Sequence, residues 1–121
     1  MNDLSRLRDH LLTYPETTEE TPFGPEALVY KVAGKMFAIM TPDDFPVRMN
    51  LKCDPDRALD LRDQHEAIIP GWHMNKRHWN TVLLDGSLND TFVEELIRHS
   101  FECVLAGHPK KVREKIEPLL K

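Results

Sequence analysis

The sequence predicts an α+β fold. One antiparallel sheet carries helices on one of its faces, in the order α-βββ-α-ββ-α with a short C-terminal tail helix. Three observations carry this reading. Hydrophobic spacing switches along the chain between the period of a helix and that of a strand. The strand patterns come in runs separated by helices, which argues against a doubly wound parallel sheet. The clearest strand, "VRMNLKC", alternates Val47, Met49 and Leu51 with Arg48, Asn50 and Lys52, as a strand with one dry and one wet face does. At 121 residues, 40% hydrophobic and 30% charged, the chain fits one globular domain spanning 1–121.

Each element has a local cause. Asp3 caps a first helix whose apolar stripe is Leu4, Leu7 and Leu11, and Pro15 stops it. "PETTEETPFGPEA" reads as a loop by its proline, threonine and glutamate content. "LVYKVAGKMFAIM" reads as a hairpin, with Gly34 where a tight turn needs positive φ. A second loop, "TPDDFP", leads into the strand at 47. Asp54 and Pro55 then start a helix as N-cap and first helical residue. An extended piece, "AIIPGWHM", turns at Pro70-Gly71 and precedes the strand "HWNTVLL". Ser87 or Asn89 caps the strongest helix, whose stripe runs from Phe92 through Leu105 until Gly107 and Pro109 end it. "KKVREKIEPLLK" forms the tail helix, with Val112 and Ile116 facing inward.

The net charge of -4 hides a pattern. Residues 1–20, 53–66 and 85–105 are acidic on balance and belong to the three main helices. Residues 21–52, 67–84 and 106–121 are basic on balance and belong to the strands, the 70–78 loop and the tail. Helices behind a one-layer sheet would place acid at the back and Lys31, Arg48, Lys52, Lys76 and Arg77 at the front. Asn50 and Asn80 would join them as neutral hydrogen-bonding groups.

The segments "PFG", "YKVAGKMFA", "NLKCDP", "PGWHMNKRHWNTV", "LIRHSFECV" and "PKKVR" run in order through most of the chain. Together they resemble the MmcQ/YjbR family. The resemblance implies an α+β fold of the CyaY-like type, akin to small secretion chaperones, and a DNA-binding role. It carries over no catalytic residue.

"PGWHMNKRHWNTV" is free of carboxylates and holds both tryptophans of the chain. Lys76 and Arg77 there can meet phosphate, Asn75 and Asn80 can hydrogen-bond to phosphate or a base edge, and Trp72 or Trp79 can offer a stacking face. Lys31, Arg48 and Lys52 would extend that surface across the sheet, and Lys110, Lys111 and Arg113 would clamp a phosphate backbone. The competing account is structural. On it a tryptophan fills a seam, Asn75 shapes a turn, and the cations are solvated or offset a helix dipole.

No HExxH, paired CxxC, GxSxG, P-loop or GxGxxG is present, so neither a metal, a cofactor nor an enzyme is expected. Cys53, just before a helix N-terminus, is the best nucleophile candidate. Cys53 and Cys103 are expected as buried thiols in a reducing compartment. No apolar run is long enough to cross a membrane, and the first residues lack a signal-peptide core, so the cytoplasm is the expected location. A DNA-binding monomer is therefore the leading expectation. A protein-interaction or chaperone-like module is the alternative, and a small-molecule pocket walled by Trp72, Trp79 and Phe37 is a third option.

Overall fold

The computed structural model describes residues 3–120. Helix α1 (Leu4–Leu12) leads into strands β1 (Thr17–Glu20), β2 (Leu28–Val32), β3 (Lys35–Thr41) and β4 (Val47–Lys52). Helix α2 (Pro55–Gln64) is followed by β5 (Ile68–Pro70) and β6 (Trp79–Leu84). Then come the long α3 (Asp90–Ala106), the short α4 (Lys110–Ile116) and a final 3-10 turn (Glu117–Leu119). The strands form one sheet in the order β1-β2-β3-β4-β6-β5, and every neighbouring pair is antiparallel. The fold class is the one the sequence predicts.

The caps are also where the sequence puts them. Asp3 accepts from the amides of Ser5 and Arg6, and Asp54 from those of Asp56 and Arg57. Of the two candidates for α3, Asn89 is the cap and accepts from the Phe92 amide. Ser87 instead donates to Asp85 in the preceding turn. The β2–β3 turn is Ala33-Gly34, both at positive φ (47° and 87°), as a two-residue hairpin requires. The predicted tail helix ends at Ile116, because Pro118 follows within two residues; Lys121 lies outside the described residues.

One strand was not expected. The segment read as a loop from Pro15 to Ala27 contains β1, an edge strand paired with β2 from Thr17↔Val32 to Glu20↔Val29. Its composition reads as loop, yet its threonines suit an extended chain and its glutamates suit an exposed sheet edge. Side-chain contacts hold it. Arg8 of α1 donates to both carboxylate oxygens of Glu19 at 2.6 and 3.1 Å, and the Tyr30 hydroxyl donates to the same carboxylate at 2.5 Å.

Strand register assigns the faces. Leu28, Tyr30 and Val32, then Ala38 and Met40, then Met49 and Leu51, and finally Asn80 and Val82 point toward the helices. Val29, Lys31, Ile39, Thr41, Arg48, Asn50, Trp79, Thr81 and Leu83 point to the other side. The core lies between sheet and helices, around Leu7, Leu11, Ile97, Phe101 and Ile116. Phe37 meets Phe101 edge-on at 5.2 Å, and Tyr14 stacks on Phe101 at 4.9 Å. His108, buried at the end of α3, sits 2.9 Å from the Val32 carbonyl and ties the tail to β2.

A β-bulge interrupts β3, where the pairing with β2 shifts between Tyr30 and Lys31. The β3–β4 ladder ends beside it, at Ala38↔Leu51. The next pair, Phe37 and Lys52, is bridged by Ser100 of α3. The Ser100 hydroxyl donates to the Phe37 carbonyl at 2.5 Å and accepts from the Lys52 amide at 2.8 Å. Ser100 is fully buried, so the two groups it satisfies are shielded from bulk solvent.

Two outcomes follow. Replacing Ser100 with Ala leaves two buried backbone groups without partners, and urea unfolding should show a loss of about 1–3 kcal/mol. The Glu19 carboxyl is held below its ordinary value of 4.5, chiefly by the hydrogen bond from Arg8. Its stabilising contribution is complete above that value and fades as pH falls through the lowered one. Glu19→Gln should therefore flatten the acid limb of a stability–pH curve while barely altering its slope near neutrality.

Candidate functional site

The segment from Gly71 to His78 links the ends of β5 and β6 and folds back over the sheet side that carries no helix. Gly71 makes the close approach possible. A Cβ there would stand 2.8 Å from both the Trp79 Cβ and the Trp79 carbonyl oxygen, and the Gly71 amide donates to that carbonyl at 3.0 Å. Asn75 closes the turn. Its side-chain oxygen accepts from the Arg77 amide at 2.9 Å, and its carbonyl accepts from the amides of His78 and Trp79. From the helix side, the Arg62 guanidinium donates to the Lys76 carbonyl at 2.6 Å.

Trp72 is the best-anchored exposed residue of this loop. Its amide donates to the Thr81 hydroxyl at 2.8 Å, and its carbonyl accepts from the Asn50 amide group at 3.1 Å. The Thr81 hydroxyl in turn donates to the Asn50 side-chain oxygen at 2.5 Å. Facing residues of β4 and β6 thus pin the loop by a closed network. The indole remains 54% exposed, with the Arg48 guanidinium 5.0 Å from its ring centroid and the His73 ring edge-on at 4.9 Å. His73 holds a left-handed φ of 59° to reach that place. Together with Ile39, Thr41, Asp44 and Asn50, these residues line a cavity of about 150 Å³.

The sequence-predicted residues divide. Arg48 and Asn50 are at this site, and Asn75 shapes its loop. Lys76 and Arg77 are exposed on the same loop. The Lys76 ammonium lies 3.4 Å from the Gly71 carbonyl, whereas no ion pair or hydrogen bond of the Arg77 guanidinium is found among the described residues. Lys31 is on this side of the sheet but pairs with Glu20 at 3.2 Å, and Arg48 has Asp44 at 3.9 Å. The front of the sheet is therefore not free of acid. Lys52 stands at the strand end, close enough to act on the Cys103 thiol of α3. Lys110 pairs with Glu114 within α4, and Lys111 is exposed beside it on the tail.

Three expectations are corrected. Asn80 does not face a ligand; register turns it toward α2, where it is 3% exposed and donates to the Ala58 carbonyl at 3.3 Å. Trp79 is only 9% exposed and is scaffold, so Trp72 alone of the two offers an open indole. Trp72, Trp79 and Phe37 wall no common pocket, because Phe37 packs on the helix side against Phe101. Thr81 was missed. Its role depends on lying opposite Asn50, a register that hydrophobic alternation alone does not supply.

The cysteines are free thiols, Cys53 buried and Cys103 half-buried. Burial pushes Cys53 up to about 11, the opposite of what an activated nucleophile at a helix start needs. Among the described residues, no three His, Cys, Asp or Glu side chains are grouped to hold a metal ion, and no helix is long and apolar enough to cross a membrane.

A family model described as YjbR matches residues 12–103. The chain belongs to the YjbR family. YjbR of Escherichia coli strain K12 is 30% identical over 116 residues, covering 96% of this chain and 98% of its own. YbdF of Escherichia coli O157:H7 is 34% identical over 97 residues, covering 80% of each. The crystal structure of DR2400 from Deinococcus radiodurans superposes with a TM-score of 0.90 at 36% identity, over 97% of this chain and 89% of that one. A Pseudomonas syringae protein superposes with a TM-score of 0.73 at 27% identity, over 84% of this chain and 97% of its own. The helix-backed antiparallel sheet described above is thus shared with the Deinococcus radiodurans structure.

Scaffold and contact residues should separate in mutation. Asn80→Ala removes the tie to α2 and should lower stability by about 1–2 kcal/mol in urea unfolding. Because Asn80 faces the core, any ligand that the Trp72 side binds should keep its affinity, measured below the unfolding transition.

Proposed function

We propose that this protein is a nucleic-acid-binding module without catalysis, which holds single-stranded DNA against the uncovered side of its sheet. The single observation that carries the reading is Trp72. A rigidly mounted indole stands half out of the protein with the Arg48 guanidinium against it and the exposed Arg77 on the same loop. Stacking platforms with neighbouring cations are how proteins hold unpaired bases and their phosphates. The cavity beside it, about 150 Å³, is on the scale of one base rather than of a duplex groove. The net charge of -4 also fits a contact that relies on stacking more than on a broad cationic field.

A second reading has its own observation. Phe45 is fully exposed, and with Pro46, Val47, Leu83, Leu84 and Asp85 it borders an open apolar groove of about 700 Å³. Such a surface suits a protein partner. The two readings use different residues and are separable by mutation.

Titration of the protein with a short oligothymidine, followed by tryptophan emission at two salt concentrations, tests the first reading. Binding should quench the emission and weaken as salt rises, with a log–log slope of roughly -0.7 per phosphate contacted. Trp72→Ala should cost about 1–3 kcal/mol of affinity, and Arg77→Ala should make the salt slope shallower. Salt-independent binding, or a Trp72→Ala variant that binds as the parent does, refutes it. Loss of a protein partner on Phe45→Ser with DNA binding absent would favour the second.

A further inference from the structure

On the helix side, at the end of β4, lies a group of side chains that the binding reading leaves unused. The chain leaves the sheet at Cys53, whose amide donates to the His78 carbonyl at 2.8 Å. The next amide, that of Asp54, donates to His99 Nε2 of α3 at 3.2 Å. The same His99 nitrogen lies 3.4 Å from the Sγ of Cys103, one helical turn further along. Cys53 thus sits one residue from a contact that ends at Cys103. Its side chain points inward and borders a small apolar gap with Leu61, Asn80, Leu96 and His99. Cys103 thus contacts His99, Cys53 lines the same small gap as that imidazole, and both cysteines are free thiols.

We propose that Cys53 and Cys103 are the site of an intramolecular disulfide, formed when the folded protein meets a two-electron oxidant such as hydrogen peroxide. Cys103 is the entry point, because it is half-buried whereas Cys53 is 5% exposed. His99 Nε2 accepts from the Asp54 amide, so that nitrogen is unprotonated; it takes the Cys103 thiol proton by giving up that hydrogen bond. The thiolate attacks one peroxide oxygen, the O–O bond breaks, and water leaves with the transferred proton. Cys103 is then a sulfenic acid. Attack by the Cys53 sulfur on Sγ of Cys103 forms the S–S bond and breaks the S–O bond, and the second water carries away the Cys53 proton. The balance is two thiols and one peroxide to one disulfide and two waters.

The electrostatic setting makes this a slow cross-link rather than a fast sensor. Burial raises both thiols above their ordinary range, most for Cys53. Lys52 from β4 and the Asp54 amide oppose this at Cys103, while the carboxylates of Asp54 and Glu102 reinforce it. His99 is held low by burial and then by Arg57 of α2, which favours the neutral imidazole. A disulfide needs the two Cα atoms within about 7 Å, so its formation without unfolding is itself a measurement of the site. The cross-link would fasten the β4 end to α3 whether or not the sheet face binds DNA.

The test uses the full chain, folded, with a small molar excess of hydrogen peroxide, followed by alkylation and intact mass measurement. The expected product has lost two hydrogens, takes up no alkyl group, remains a monomer, and yields a peptide pair joining Cys53 to Cys103. Cys53→Ser should instead accumulate the Cys103 sulfenic acid, trapped by a dimedone probe, and His99→Gln should slow its appearance several-fold. Cys103→Ser should leave Cys53 alkylatable only after denaturation. A dimer linked through Cys103, a Cys103 sulfinic acid with Cys53 still free, or two thiols unchanged under conditions that cross-link the unfolded chain would each overturn the proposal.

Discussion

The architecture depends on one hydroxyl. Where the bulge in β3 opens the ladder, Ser100 Oγ takes the place of a strand-to-strand hydrogen bond and satisfies both the Phe37 carbonyl and the Lys52 amide. A helix side chain thereby acts as a rung of the sheet. This fixes both the depth and the rotation of α3, because Phe101, Ile97 and Val104 on the same helix follow from where Ser100 must sit. It also lets β4 part from β3 after Leu51. The chain can then turn at Cys53, cap α2 with Asp54, and bring that turn against His99 and Cys103. A larger or apolar residue at position 100 would either hold α3 away from the sheet or leave the opening unsatisfied.

The opposite side of the sheet is organised by the pairing of cations rather than by their number. Lys31 with Glu20 and Arg48 with Asp44 are partly exposed contacts, and such pairs contribute only about 0–1 kcal/mol. A phosphate can compete with either carboxylate at little cost, whereas a uniformly cationic face would repel itself when empty. In the proposed binding role, affinity would come mainly from groups that remain exposed. These are the exposed indole of Trp72 and the guanidinium of Arg77, and both belong to the one loop.

Much of this was legible in the chain. The caps at Asp3 and Asp54, the Ala33-Gly34 turn, the two-faced strand at 47–52 and the apolar stripe of α3 each follow from local chemistry, and each is where that chemistry puts it. The losses have a common origin in pairing, which is not local. β1 looks like a loop because a strand of threonine and glutamate carries no apolar alternation, and its pairing with β2 and the Arg8–Glu19–Tyr30 contacts that hold it are not local. In "HWNTVLL", Trp79, Val82, Leu83 and Leu84 put large apolar groups on both faces, so alternation does not say which face is inward. The register against β4 settles it. Asn80 goes to the core, and Thr81 goes to the Trp72 network.

That same register would serve the proposed recognition role of the loop, which lies outside regular structure. Loops usually lose affinity by having to become ordered on binding. Here the ordering is already done by three independent restraints: Gly71 against Trp79, the Asn75 side chain on the Arg77 amide, and Arg62 on the Lys76 carbonyl. The Asn50–Thr81 network adds a fourth directly beneath the indole. With the backbone held from both sides of the sheet, the exposed side chains of the loop are Trp72, His73, Asn75, Lys76 and Arg77. The carboxylate-free composition of this segment follows from that mounting. Its polar side chains and carbonyls are used to hold the loop, and an acidic side chain here would compete with those carbonyls for Arg62 and Lys76 and undo the restraint that keeps Trp72 in place.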